Sequence, residues 1–169
     1  LAVRFGAPGR HLFELRRAAL DRLVRREVAV PSAAHAWGLY AEALMAEEGF
    51  EPDPAARLAQ RVLVLRDAQL ALVDVGLHTK QLTPVEAIDQ LVGRLPVDQH
   101  TALADVRRLA CRPLSACGAM LGFRELLRLR GDARAAAGGG FDQAGFHDAL
   151  LGYGGLPAPL IRWGLGLDA

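Results

Sequence analysis

An all-α fold is what this sequence predicts, and three observations predict it. Apolar residues recur at three- and four-residue intervals in one segment after another, and no convincing stretch alternates with a period of two. The chain is 51% hydrophobic but only 6% aromatic, so its core is to be built from Ala, Leu and Val, a composition that favours helices. At 169 residues it is one domain's worth of chain, long enough for a real core, and a single helical domain spanning 1–169 is expected.

The first segment is broken at Pro8-Gly9, which places Arg10 and His11 at the start of a new helix, where anions are favoured. From His11 to Val28, Leu12, Leu15, Ala19 and Leu23 alternate with Arg16, Arg17, Arg22, Arg25 and Arg26: one amphipathic helix with a basic outer face, either solvated or open to an acidic partner. Pro31-Ser32 closes it, and Ser32 is the expected N-cap of the next helix. In that helix Trp37, Tyr40, Ala41, Leu44 and Met45 form a buried stripe, while His35, Leu39 and Glu42 fall near one face. Asp53-Pro54 caps and starts a helix from about Ala55 to Leu77. Thr83-Pro84-Val85-Glu86 is a capping box opening a short helix that ends near Gly93. Further helices are expected over Asp98 to Cys111, Pro113 to Arg130 and Phe141 to Leu151, with a short terminal one carrying Trp163. Gly138-Gly139-Gly140 reads as a loop, since neither a preceding strand nor a following GK[ST] makes it a phosphate cradle.

Several function classes are disfavoured. Lys+Arg 20 against Asp+Glu 19 provides no global field to recruit nucleic acid or a membrane surface. Cys111 and Cys117 stand six apart without CxxC or Cys/His spacing, which implies neither a zinc knuckle nor a disulfide framework. No run of about eighteen apolar residues and no signal peptide is present, so the expected compartment is the cytoplasm.

Two strings carry more. RFGAPGRHLF (Arg4 to Phe13) and HAWGLYAE (His35 to Glu42) resemble the hallmark motifs HExxPGHHLQ and EGWALYAE of the bacterial domain of unknown function family number 885, a group of zincin-like metallopeptidases. Pro8, Gly9, His11, Leu12, Trp37, Leu39, Tyr40, Ala41 and Glu42 are retained. The family's His-Glu pair falls on Arg4 and Phe5, the first His of its His-His pair on Arg10, and the Glu opening the second motif on His35. DVGLHTKQLTPVEA (Asp74 to Ala87) is similar to DxGLHxxxWTxExA, and FDQAGFHDALLGYGGLPAPLI (Phe141 to Ile161) to the closing FHDxLLxxGxxPL. Between them, RPLSACGAMLGFRELLRLR resembles a segment in which the family has tyrosines where Leu109 and Ala119 stand. The resemblance implies the C-terminal half of a longer helical metallopeptidase scaffold, arranged as a multi-helix orthogonal array.

A guanidinium cannot lose its proton to bind zinc, so Arg4 and Arg10 turn the inherited metal position toward anions. His11 and His35 alone are two ligands, and Glu42 or a partner would have to add a third, so no metal or other cofactor is expected. The expected site then has His35, Glu42 and His11 as catalytic groups, His35 being the general base with its proton affinity tuned by Glu42. Arg4, Arg10, Trp37 and Tyr40 would hold an anionic, amino-acid-derived small molecule. His78 reads as structural, and His100 and His147 carry no motif argument beyond the FHD string. Helices apolar on more than one side call for a covering layer, expected from a separate chain supplying the N-terminal half in a heterodimer, or else from a second copy. The leading expectation is a metal-independent biosynthetic subunit catalysing elimination or ring closure with loss of sulfate or phosphate. The alternatives are a non-catalytic pseudo-peptidase subunit and a residual zinc metallopeptidase.

Overall fold

The structure, a computed structural model, describes residues 2–50 and 53–167. Ten α-helices and one 3-10 turn follow one another, with no strand among the described residues. They are α1 (Ala2–Phe5), α2 (Arg10–Ala18), α3 (Leu23–Glu27), α4 (Ala33–Glu47), α5 (Pro54–His78), α6 (Pro84–Arg94), α7 (Gln99–Ala110), α8 (Ser115–Ala137), α9 (Gln143–Gly152) and α10 (Ala158–Gly164), with Gly138–Gly140 forming the 3-10 turn.

Where a cap is encoded locally, the helix starts where the sequence says. Asp53 accepts from the N–H groups of Ala55 and Ala56 at 3.2 and 3.3 Å, with Pro54 at the first helical position. Thr83 and Glu86 form the reciprocal capping box, and Asp98 and Asp142 cap α7 and α9 through Thr101 N–H and Ala144 N–H at 2.7 and 3.1 Å. Ser32 precedes α4 without making a side-chain cap bond, which corrects the expectation for it.

The expected helix from His11 to Val28 is two. After α2 the chain turns at Ala19 and Leu20, whose N–H groups bond back to Leu15 and Arg17, and α3 then returns alongside. Arg17 bridges the turn, bonded to Glu14 and to the carbonyl of Arg26. The basic face is largely spent on such internal partners: Arg16 pairs with Asp148, Arg26 with Glu27, and Arg25 bonds the Gly152 carbonyl while lying 4.4 Å from the Tyr153 ring centre. α8 runs seven residues beyond Arg130, straight through Gly131.

The chain divides into two compact units, residues 1–48 with 121–169 and residues 49–120. Each has its own core. In the first, Phe13, Ala34, Trp37, Tyr40, Leu129, Phe146, Leu150, Leu151 and Ile161 pack together. In the second, Leu70, Val73, Ala87, Leu91, Leu95, Ala102, Val106 and Leu109 do so. Removal of this apolar area from water is what holds either unit closed.

Candidate functional site

The site lies in the first unit, where α1 and the start of α2 pack on α4. Two glycines set that distance. A Cβ on Gly38 would stand 2.7 Å from the carbonyl oxygen of Arg4, and one on Gly9 would stand 2.1 Å from that of Val3. Neither position admits a side chain without moving backbone. The Trp37 indole Nε1 donates to the Pro8 carbonyl at 2.8 Å, tying the Pro-Gly turn to α4. The motif residues therefore build the junction itself.

At this junction the two arginines behave differently. Arg4 Nε donates to Glu42 Oε2 at 2.8 Å, and its Nη2 reaches the same oxygen. Both side chains are nearly buried, 11% and 8% exposed, so the pair is shielded from water and is a strut between α1 and α4. Arg10 Nη1 stands 3.2 Å from His35 Nε2 in an exposed position. Guanidinium only donates, so this contact assigns the Nε2 lone pair to Arg10 and the ring proton to Nδ1. His11 is exposed on the first turn of α2.

The seven residues expected at the site are thus sorted by environment. Glu42 is engaged by Arg4, and Arg10 lies against His35. Arg4, expected to hold substrate, holds a carboxylate of its own chain. Trp37 and Tyr40, also expected to face substrate, are core residues, and Tyr40 is fully enclosed. The carbonyl bond to Pro8 and the packing against Phe13 and His147 explain why Trp37 is turned inward.

Sequence reading missed a polar cluster beneath this surface. The Tyr40 hydroxyl and His147 Nε2 are 2.6 Å apart, with the two rings edge to face. Arg130 lies over the Tyr40 ring at 5.4 Å and bonds Glu47 at 2.9 Å. Among the described residues its buried Nη1 has no hydrogen-bond partner, and its charge acts on the Tyr40 hydroxyl. Burial pushes the Tyr40 hydroxyl up to about 12, against the opposing pull of Arg130. Burial, then the charge of Arg130, pushes His147 below its usual range, with Asp148 opposing. Phenol and imidazole are therefore both neutral near pH 7. The one signal for His147 was its place in the FHD string, which carries no hint of a partner 107 residues away.

A second buried acid belongs to the other unit. Asp74, fully enclosed, accepts from the N–H groups of Leu114, Ala116 and Cys117 at 3.0, 2.9 and 3.1 Å and pairs with His78 at 3.1 Å. It thereby anchors the start of α8, where Leu114 takes a left-handed φ of 63°. Burial, then the charge of Asp74, raises the Cys117 thiol.

A zinc ion requires deprotonated donors, and here the retained carboxylate and the motif imidazole are each occupied by a guanidinium. No group of three or more His, Cys, Asp or Glu side chains is arranged to hold a metal ion among the described residues. The donor set does not fit a catalytic zinc.

A family model, "Bacterial protein of unknown function (DUF885)", matches residues 1–164. The chain belongs to that family. Among solved structures, a "putative lipoprotein" from Colwellia psychrerythraea matches this chain at 30% identity and a TM-score of 0.89, over 96% of this chain and 28% of its own. A "putative lipoprotein of unknown function" from Shewanella oneidensis matches at 24% identity and a TM-score of 0.87, over 96% of this chain and 30% of its own, which shows a shared fold. This DUF885 chain thus spans less than a third of the length of either structure. No curated protein gives a significant match. No described helix is long and apolar enough to cross a membrane.

Proposed function

We propose that this DUF885 chain is one subunit of a heteromeric, metal-independent enzyme that acts on an anionic, amino-acid-derived small molecule. The observation that carries the reading is the Arg10–His35 pair, a cation and a base 3.2 Å apart on the exposed side of the motif junction. The leaving group would be a sulfate or phosphate monoester. In ring closure the substrate amine attacks the carbon bearing the ester; the C–N bond forms, the C–O bond breaks, and its electron pair leaves with the anion. In elimination the C–H pair becomes the new π bond and the same C–O bond breaks. Arg10 meets the charge growing on the leaving oxygens as a bidentate donor. His35 Nε2 then exchanges its Arg10 hydrogen bond for the proton given up by the amine or the C–H. The partner supplies the layer that the relatives carry in the rest of their length.

The test is release of inorganic sulfate or phosphate by the reconstituted complex. Arg10→Ala should lower it about a hundredfold or more, at an order-of-magnitude barrier of 2.7–4 kcal/mol for one lost donor, with assembly intact. Unchanged release by an intact complex would sink the mechanism. A second reading, a non-catalytic subunit, is favoured by the Arg4–Glu42 strut, which turns an inherited chemical position into packing. It expects Arg10→Ala and His35→Ala to alter nothing but partner binding. The proposed compartment is the cytoplasm, where an exposed thiol such as Cys111 stays reduced; cell fractionation decides between this and the envelope, toward which the "putative lipoprotein" neighbours point.

A further inference from the structure

Helix α5 has two apolar faces and buries only one. At 100° per residue, Leu70, Val73 and Leu77 share the side that packs into the core of their unit. Leu58, Leu65 and Leu72, spaced by seven, and Val75 run along the opposite side and are 64%, 46%, 55% and 37% exposed. Ala68 lies on the same line. None of residues 54–68 is buried, although most of them are apolar. A strict seven-residue apolar repeat on a helix of 25 residues is the pattern that receives another helix along its length.

Arg61 narrows the choice of occupant, because it interrupts the seam on the same line as Leu58 and Leu65. A second copy in parallel register would set Arg61 against Arg61. In antiparallel register, with Leu65 over Leu72, Arg61 meets the end of α5 near His78 and Lys80. Neither arrangement gives it a carboxylate. The two structures that share this fold carry more than two thirds of their length outside the part this chain matches. We infer that the outer seam of α5 docks an amphipathic helix from the polypeptide that corresponds to this remaining part of the DUF885 scaffold, with an acidic residue facing Arg61. The inference rests on the partner-chain reading above and adds the surface by which that partner binds.

Two measurements test it in the full chain produced in its native cell. With photoreactive p-benzoylphenylalanine in place of Leu65, the cross-linked peptide should come from a polypeptide matching the part of the DUF885 scaffold outside the stretch matched here. Leu58→Glu with Leu65→Glu should abolish co-elution with that polypeptide while leaving the far-ultraviolet circular dichroism unchanged, since both side chains are exposed in the chain alone. A cross-link to this chain's own peptide in another copy overturns the inference. So does a heteromer that forms undiminished with the double variant, an outcome that leaves the partner reading standing. A chain that elutes alone as a monomer removes that reading and the docking surface with it.

Discussion

Arg4→Ala should unfold this protein more than it disarms it. The substitution leaves the Glu42 carboxylate, 8% exposed, without the guanidinium that meets it through two nitrogens. Stranding one member of a buried ion pair typically costs about 3–5 kcal/mol. For a chain of this length each kcal/mol moves the melting temperature by about 2–4 °C, so the expected fall is roughly 6–20 °C. Replacing both partners together, Arg4→Met with Glu42→Met, removes the stranded charge and should land within about 1 kcal/mol of the parent.

The assay is urea denaturation of the four proteins of the double-mutant cycle, read as a coupling energy. Sulfate adds a second axis. An anion-binding Arg4 would let added sulfate stabilise the parent and fail to stabilise Arg4→Ala, whereas a strut predicts the same response from both. A stability change below about 0.5 kcal/mol for Arg4→Ala, or a coupling energy of zero, would refute the strut.

Other expectations follow from the same geometry. Gly38→Ala should cost about 1–3 kcal/mol by chemical denaturation, because its Cβ meets the Arg4 carbonyl at 2.7 Å and α1 has to move. Asp74→Ala should cost about 3 kcal/mol or more, since three backbone N–H groups and His78 lose a charged acceptor in an enclosed site, and hydrogen exchange should speed up at the start of α8. His147, held below its usual range, binds fewer protons folded than unfolded, so stability should fall as pH drops below about 6.5 and level off beneath its folded value; His147→Gln should flatten that limb. Tyr40 has the opposite sign: raised to about 12, it retains its proton in the fold, so stability should fall as pH rises from about 10 toward 12, by an amount of order 3 kcal/mol that Tyr40→Phe removes.

What could be read from the sequence was what neighbours along the chain decide. Asp53-Pro54 and Thr83-Pro84-Glu86 bond to N–H groups two or three residues away, so their helices begin within a residue of where expected, whereas Asp98 and Asp142 cap α7 and α9 without having been read as caps. The break after Ala18 depends on Arg17 reaching the Arg26 carbonyl, a contact that exists only once α3 has folded back, and periodicity runs through it unmarked. The two cores were hidden for a similar reason, because an apolar stripe does not say which stripe it will meet. At the site, residue types were legible but pairings were not. Arg4 and Glu42 are 38 residues apart and Tyr40 and His147 are 107 apart.

Those pairings set the two arginines of the motif junction apart. A carboxylate as enclosed as that of Glu42, 8% exposed, is costly to bury without positive charge beside it. Arg4 supplies positive charge from α1 and brings a rigid fork of donors to that carboxylate. Arg10 sits at the exposed edge, 3.2 Å from the His35 imidazole in place of a carboxylate. Two arginines that look alike in the sequence therefore stand in opposite settings: one is buried against a carboxylate, and the other lies at the surface beside a histidine.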